Sequence, residues 1–130
     1  MDTEFIIITN NPYFLENSLN NAQIRFKEIS TLEILNLSRD LIYKGYTLVT
    51  HPFVGGIKPN QTPYKTVVLL EGEGPVDIDS ARTIGQSILI TEKFLKIKAI
   101  PSLSESIKKD LAFIDYTLIK EALDPDICLV

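Results

Sequence analysis

The sequence predicts a small α/β domain: a mixed four-stranded sheet with flanking helices. Short apolar, β-branched runs at residues 4–9 and 66–70 are typical of strands that are buried on both faces. Segments with helical apolar periodicity at residues 30–44 and 77–96 supply the helices. With 130 residues and a 45% apolar content, the chain has the size of a single domain over residues 1–130.

The first three elements lie within residues 4–28. The strand at residues 4–9 is ended by Asn-Asn-Pro, a combination that favours a turn. Residues 13–21 have room for one or two helical turns before an Asn-Asn break. Residues 23–28 alternate between polar and apolar, which predicts a second strand with one solvated face at an edge of the sheet.

A well-bounded helix and the other two strands follow. Ser30 and Glu33 predict a capping box for a helix over residues 30–44, and Gly45 stands where a left-handed C-cap is needed. Residues 46–50 form the third predicted strand. The doubly apolar run at residues 66–70 forms the fourth, which we expect at the centre of the sheet.

The last third of the chain is predicted to be helical. Asp77 is placed to cap a helix through residue 96, and Ser102 with Glu105 marks the start of another. We expect each helix to bury one apolar stripe. The stripes are Ala81, Ile84, Ile88 and Leu95 in the first helix, and Ile107, Leu111, Ile114 and Leu118 in the second.

Strand directions decide where a binding site would lie. Right-handed crossovers predict that the first three strands are parallel. No helix separates the third strand from the fourth, so the fourth is expected to be antiparallel. Because ligands bind beyond the carboxyl ends of parallel strands, we expect the turn after residue 9 and the segment of residues 51–65 to meet at one rim of the sheet.

The segment of residues 51–65 is the most informative part of the chain, because it is much longer than an ordinary loop and is rich in proline, glycine and lysine. Its lysines, amides, hydroxyls and glycine N–H groups could bind a small anion such as a carboxylate or phosphate, and its histidine is a candidate acid/base group. The predicted ligand-binding residues are Thr9, Asn10, Asn11, His51, Gly55, Gly56, Lys58, Asn60, Thr62, Tyr64 and Lys65.

Structural interpretations of the same residues stay open. Asn10, Asn11 and Pro12 also make an ordinary turn, a histidine before a proline is often a packed loop residue, and lysines often only solvate a loop. The glycine pair matches neither a Walker A pattern nor the dinucleotide fingerprint. The catalytic residues, if the chain has any, are unknown from the sequence.

Composition narrows the function classes. A net charge of -4 and a pI near 5.0 argue against nucleic-acid binding. No run approaches the roughly 20 apolar residues of a membrane span, and the amino terminus lacks signal-peptide features, so we expect a cytoplasmic protein. One histidine and the single Cys128, interpreted as a packed residue of the tail, predict no metal site, disulfide or cofactor.

Two functions from different classes are compatible with these residues. One is an accessory or sensor protein that binds a small anionic metabolite or a partner component. The other is a small acyl or phosphoryl transferase or hydrolase with His51 as its acid/base group. No serine lies in a Gly-x-Ser-x-Gly elbow, so we lean away from an enzyme. The apolar tail and long helices would also suit a homo-oligomer.

Four segments of the sequence resemble the GrdX family. They are Ile7-Ile8-Thr9-Asn10-Asn11-Pro12, Arg39–Tyr46, Thr50-His51-Pro52 and Lys58-Pro59-Asn60-Gln61-Thr62-Pro63-Tyr64-Lys65. The resemblance is close over the first half of the chain, and extends to the second half by length and pattern. It implies an association with the glycine, sarcosine and betaine reductase systems of amino-acid-fermenting bacteria. In that setting, the partner component of the first hypothesis would be a reductase component, and the small anionic metabolite stays the alternative. It carries over no catalytic residue.

Overall fold

The computed structural model describes residues 4–124 and shows a four-stranded mixed sheet between two layers of helix. Cys128 lies outside the described residues. The elements in chain order are β1 (Phe5–Thr9), α1 (Tyr13–Glu16), β2 (Ala22–Phe26), α2 (Thr31–Tyr43), β3 (Thr47–Leu48), β4 (Thr66–Leu70), α3 (Ile78–Ile97) and α4 (Glu105–Ala122).

The predicted α/β class and mixed sheet are confirmed, but the strand pairing differs in detail. The strand order is β2-β1-β4-β3, and only β1 and β2 form a parallel pair. The three strands expected to be parallel do not pair with one another as a set, because β4 inserts between β1 and β3 and is antiparallel to both. Two successive antiparallel pairings leave β3 pointing the same way as β1. The carboxyl ends of β1, β2 and β3 therefore share one end of the sheet.

The alternating side chains of the central strands supply two cores. Ile6, Ile8, Val67 and Leu69 pack with α2 and α3 on one face of the sheet. Ile7 and Val68 point to the other face, where they contact Phe14 of α1 and Ile119 of α4. Both central strands are thus buried on both faces, as their continuous apolar runs predict.

The predicted boundaries of α2 and α3 are confirmed by their caps. Ser30 Oγ accepts the Glu33 N–H (3.1 Å), and Glu33 Oε1 accepts the Ser30 N–H (3.2 Å). Gly45 has a φ of +113°, as a left-handed C-cap requires. Asp77 caps α3, with Oδ2 accepting the Ser80 N–H at 3.0 Å.

The predicted orientation of α4 is wrong by about one residue. Ile107 and Ile114, expected in the core, are 48% and 40% exposed, whereas Ala112 and Ile119 are buried. The helix also begins later than predicted, with Ser104 as its N-cap in place of Ser102. This rotation brings Asp115 toward the sheet, where Thr66 and Asn11 bond it.

Candidate functional site

Asn10 joins the turn after β1 to the long segment before β4. Its Nδ2 donates to the carbonyl oxygens of Ile29 (2.9 Å) and Pro63 (3.0 Å), and its Oδ1 accepts the Lys65 N–H at 2.8 Å. Both amide protons of Asn10 and one of the two lone pairs of its Oδ1 are therefore used within the protein. The predicted convergence of the two segments at one end of the sheet is present in the structure.

Asn11 performs the same task between the turn and α4. Its fully buried Nδ2 donates to Ala112 O (2.8 Å) and Asp115 Oδ2 (2.9 Å). Its Oδ1 accepts the Tyr13 N–H at 3.0 Å and forms an Asx-turn that starts α1. Asn11 is thus a buried link between β1 and α4, and both of its amide protons are already bonded.

A directed chain of hydrogen bonds runs from the turn to Asp115. Thr66 Oγ1 donates to Asp115 Oδ2 at 2.6 Å, so the 2.7 Å contact between the two threonine hydroxyls must use the proton of Thr9. Thr9 Oγ1 in turn accepts the Asn11 N–H at 3.0 Å. Burial raises the pKa of the Asp115 carboxyl, against the opposing effects of the bonds from Thr66 and Asn11 and of the charge on Lys65.

Lys65 is buried beneath the long segment and is only 8% exposed. Its Nζ donates to Pro52 O at 2.6 Å and lies 4.5 Å from the centre of the Phe53 ring. Burial lowers the pKa of the lysine to about 8, and the charge of Asp115 opposes this shift. Lys65 and Asp115 both line a cavity of about 20 Å³, a volume with room for roughly one water molecule. We call this space the inner cavity.

Lys58 and Asn60 lie elsewhere, in a groove of about 450 Å³ beside the end of α3. We call it the lysine groove. Asn60 Nδ2 donates to the carbonyl oxygens of Phe94 (3.3 Å) and Lys98 (3.2 Å), so it fastens the long segment to the carboxyl end of α3. The groove is lined by Lys58, Asn60, Gln61, Phe94, Ile97, Lys98 and Pro101.

His51 lines a third space, of about 240 Å³, together with Thr50, Asp77 and Asp79. Its Nδ1 accepts the Phe53 N–H at 3.0 Å, which leaves Nε2 as the ring nitrogen without a described partner. The structure therefore does not bring His51 and Lys58 to one cavity.

The other predicted residues have mainly local contacts. A Cβ at Gly55 would overlap Leu118 of α4, whereas Gly56 has no atom within 4 Å of that position. Thr62 is buried, and its Oγ1 accepts the Tyr64 N–H at 3.2 Å. Tyr64 lines the inner cavity, and burial raises the pKa of its hydroxyl.

Sequence reasoning missed Asp115, Thr66 and Lys98. A signal for Asp115 was present, because it lies three residues after Ala112 and four before Ile119, and so on the same helix face. An acidic residue within a buried stripe calls for a partner. No comparable signal marks Lys98, whose position depends on where α3 ends. Among residues 4–124, no three His, Cys, Asp or Glu side chains are grouped to hold a metal ion.

A model of the family described as GrdX-like protein matches residues 6–124, which is nearly the whole chain. The chain belongs to the GrdX-like family. The match includes α3 and α4, where the resemblance of the sequence is weakest. Family membership suggests an association with glycine reductase systems. No curated protein and no solved structure matches the chain. Within the described part of this family member, no helix is long and apolar enough to cross a membrane.

Proposed function

We propose that this GrdX-like protein is an accessory protein of glycine reductase systems that binds a small anionic metabolite in the lysine groove. The observation that carries the proposal is the pair of lysines, Lys58 and Lys98, on a groove with an apolar wall. The ion pairs among residues 4–124 are Arg39–Asp40, Arg82–Asp79 and Lys108–Glu105, so neither groove lysine is neutralised there. An anion would meet two available ammonium groups.

The groove also favours an anion with a short apolar part. Phe94, Ile97 and Pro101 line it, and Ile97 is 73% exposed, which is unusual for a large aliphatic side chain. An alkyl chain placed against these side chains would remove apolar surface from water, worth about 0.8 kcal/mol per methylene when fully buried. A carboxylate or phosphate group would lie toward the lysines.

The turn after β1 is a weaker candidate for the same ligand. Asn10 and Asn11 use their amide protons to join β1, β4 and α4, and the Lys65 ammonium donates to Pro52 O. A ligand that took these donors would have to break contacts between elements. The lysine groove can be occupied without such a loss.

A partner component is the alternative occupant of the groove, through an acidic side chain on its surface. The enzyme hypothesis has less support, because His51 lines a different space from Lys58 and a single small anion would not contact both. His51→Ala should therefore leave anion affinity unchanged and should abolish turnover only if a reaction exists.

Isothermal titration calorimetry tests the proposal with inorganic phosphate and a series of carboxylates from acetate to hexanoate. We expect millimolar affinities that tighten by up to about fourfold per added methylene. Lys58→Gln and Lys98→Gln should each weaken binding by about three- to fivefold, the upper range for an exposed ion pair. The effect should shrink at high salt.

Lys93→Gln is the matched control, because it removes the same charge from α3 at a position outside the groove. Equal losses of anion affinity in the control and in the groove variants would show that binding depends on the net charge of the protein and not on the groove. No heat with any anion, from protein with an intact circular dichroism spectrum, would contradict metabolite binding. If a purified reductase component binds while no small anion does, and Lys58→Gln loses that binding, the occupant of the groove is a protein partner and not a metabolite.

A further inference from the structure

The Lys65 amine is the one described lysine whose nitrogen is enclosed beside a carboxyl group in a cavity. A protonated lysine has three N–H donors, and the described residues give it a single acceptor, Pro52 O at 2.6 Å. The described residues add a contact with the face of the Phe53 ring, which attracts the ammonium but is not a conventional hydrogen-bond acceptor. The protonated form is thus poorly satisfied, which favours the neutral amine, and the neutral amine is the nucleophilic form.

Asp115 completes the chemistry of the inner cavity. Its Oδ2 accepts bonds from Thr66 and Asn11, whereas Oδ1 accepts none from residues 4–124. No ion pair joins Asp115 to Lys65. A buried carboxyl group that is held at one oxygen and free at the other can keep and deliver a proton at the free oxygen.

We propose that Lys65 captures a small uncharged aldehyde as an imine inside the inner cavity, with Asp115 as the proton donor. The cavity, of about 20 Å³, has room for roughly one water molecule, so the substrate must be small, of one or two carbons, and the segment above the cavity must move to admit it. Its apolar walls, Val54, Ile57 and Leu118, suit an alkyl or hydrogen substituent. A 2-oxo acid is disfavoured, because its carboxylate would lie against Asp115.

The reaction balances without an oxidant or reductant. The Nζ lone pair attacks the carbonyl carbon, the π electrons move to oxygen, and one proton passes from nitrogen to oxygen to give a carbinolamine. Asp115 protonates the hydroxyl group, which leaves as water while the nitrogen lone pair forms the C=N bond. The iminium returns its N–H proton to Asp115. One amine and one aldehyde thus yield one imine and one water.

The electrostatics agree with this geometry. A pKa of about 8 in place of 10.5 raises the neutral fraction of Lys65 at pH 7 by about 300-fold over an ordinary lysine. Among residues 4–124, Asp115 is the carboxyl group that lines the inner cavity with the amine, and burial raises its pKa. The segment above the cavity includes Gly55 and Gly56, both at positive φ.

Reductive trapping tests the proposal on the whole protein. The protein is treated briefly with acetaldehyde and cyanoborohydride from pH 6 to 9, and ethylation at each of its ten lysines is quantified by peptide mass spectrometry. We expect Lys65 to react at least tenfold faster than exposed Lys58 at pH 7. Its rate should rise with pH and be half-maximal near pH 8. Unfolding in urea should abolish this preference.

Variants separate the roles of the two residues. Lys65→Arg should lose the trapped adduct, and Asp115→Asn should slow trapping by at least tenfold at pH 7. Ethylation of Lys65 that is no faster than that of Lys58 in the folded wild type would overturn the proposal, whether or not the variants fold. Faster trapping of glyoxylate than of acetaldehyde would overturn the substrate class. Lys93 lines neither the inner cavity nor the lysine groove, so Lys93→Gln should leave trapping at Lys65 unchanged.

Discussion

Replacing Asn11 with alanine should destabilise the fold strongly, because this side chain joins β1 to α4. The substitution removes both amide donors, at 2.8 Å to Ala112 O and 2.9 Å to Asp115 Oδ2, together with the acceptor for the Tyr13 N–H. Asp115 would keep a single donor, Thr66, while its carboxyl group stays buried. The loss should also raise the pKa of Asp115 further, because the bond from Asn11 lowers it.

The magnitude follows from the groups left behind. Each of the three lost hydrogen bonds contributes about 0.5–1.5 kcal/mol, and the Tyr13 N–H at the start of α1 is left without its acceptor. We therefore expect a loss of about 3 kcal/mol in the free energy of unfolding, a large part of a typical total of about 5–15 kcal/mol. The melting temperature should fall by about 10 °C.

Urea denaturation followed by circular dichroism measures this loss at pH 7. The matched control is Asn20→Ala, since Asn20 is exposed and its side chain has no hydrogen bond among residues 4–124. The control should stay within about 0.5 kcal/mol of the wild type. A loss below about 1 kcal/mol for Asn11→Ala, with an unchanged m-value, would refute the structural role of this amide.

Three further changes have defined outcomes in the same denaturation assay. Gly55→Ala should lower the free energy of unfolding by about 2–3 kcal/mol, and Gly56→Ala by only about 1 kcal/mol. Both glycines have positive φ, but only Gly55 packs against Leu118. Equal losses in the two variants would contradict that contact. From pH 8 to 10.5 the unfolded chain binds more protons at Lys65 than the folded protein does. The free energy of unfolding should therefore rise by up to about 3 kcal/mol over this range. A Lys65→Met variant that keeps the rise would disprove this origin. Ser30→Ala should cost about 1 kcal/mol through loss of the capping box of α2, and no loss would show that the box is not stabilising.

The local features of the fold could be predicted because they depend on nearby residues. The capping box of Ser30 and Glu33, the left-handed Gly45 and the doubly buried β1 each follow from a few adjacent positions. The direction of β4 also followed from the absence of a helix before it. The position of β4 between β1 and β3 did not, since it depends on how the whole sheet covers its two cores.

The candidate site was harder to predict for a similar reason. Polar residues in the turn after β1 look like ligand donors in the sequence, yet Asn10 and Asn11 are used to join elements more than 50 residues apart. The rotation of α4 decides this outcome, because it places Asp115 against the turn. Lys98 lies in the groove at the end of α3, where Asn60 Nδ2 donates to its carbonyl oxygen.

The most direct test of where a small anion binds is an NMR titration of the ¹⁵N-labelled protein with hexanoate, followed by the shifts of the backbone amides. We expect the largest shifts at residues 58–61 and 94–98, which border the lysine groove, with much smaller shifts at Thr9, Asn10 and Asn11. If the largest shifts instead occur at those three turn residues and the shifts of residues 58–61 do not change, the anion binds at the turn. That result would contradict the account in which the turn is structural and the lysine groove binds the anion.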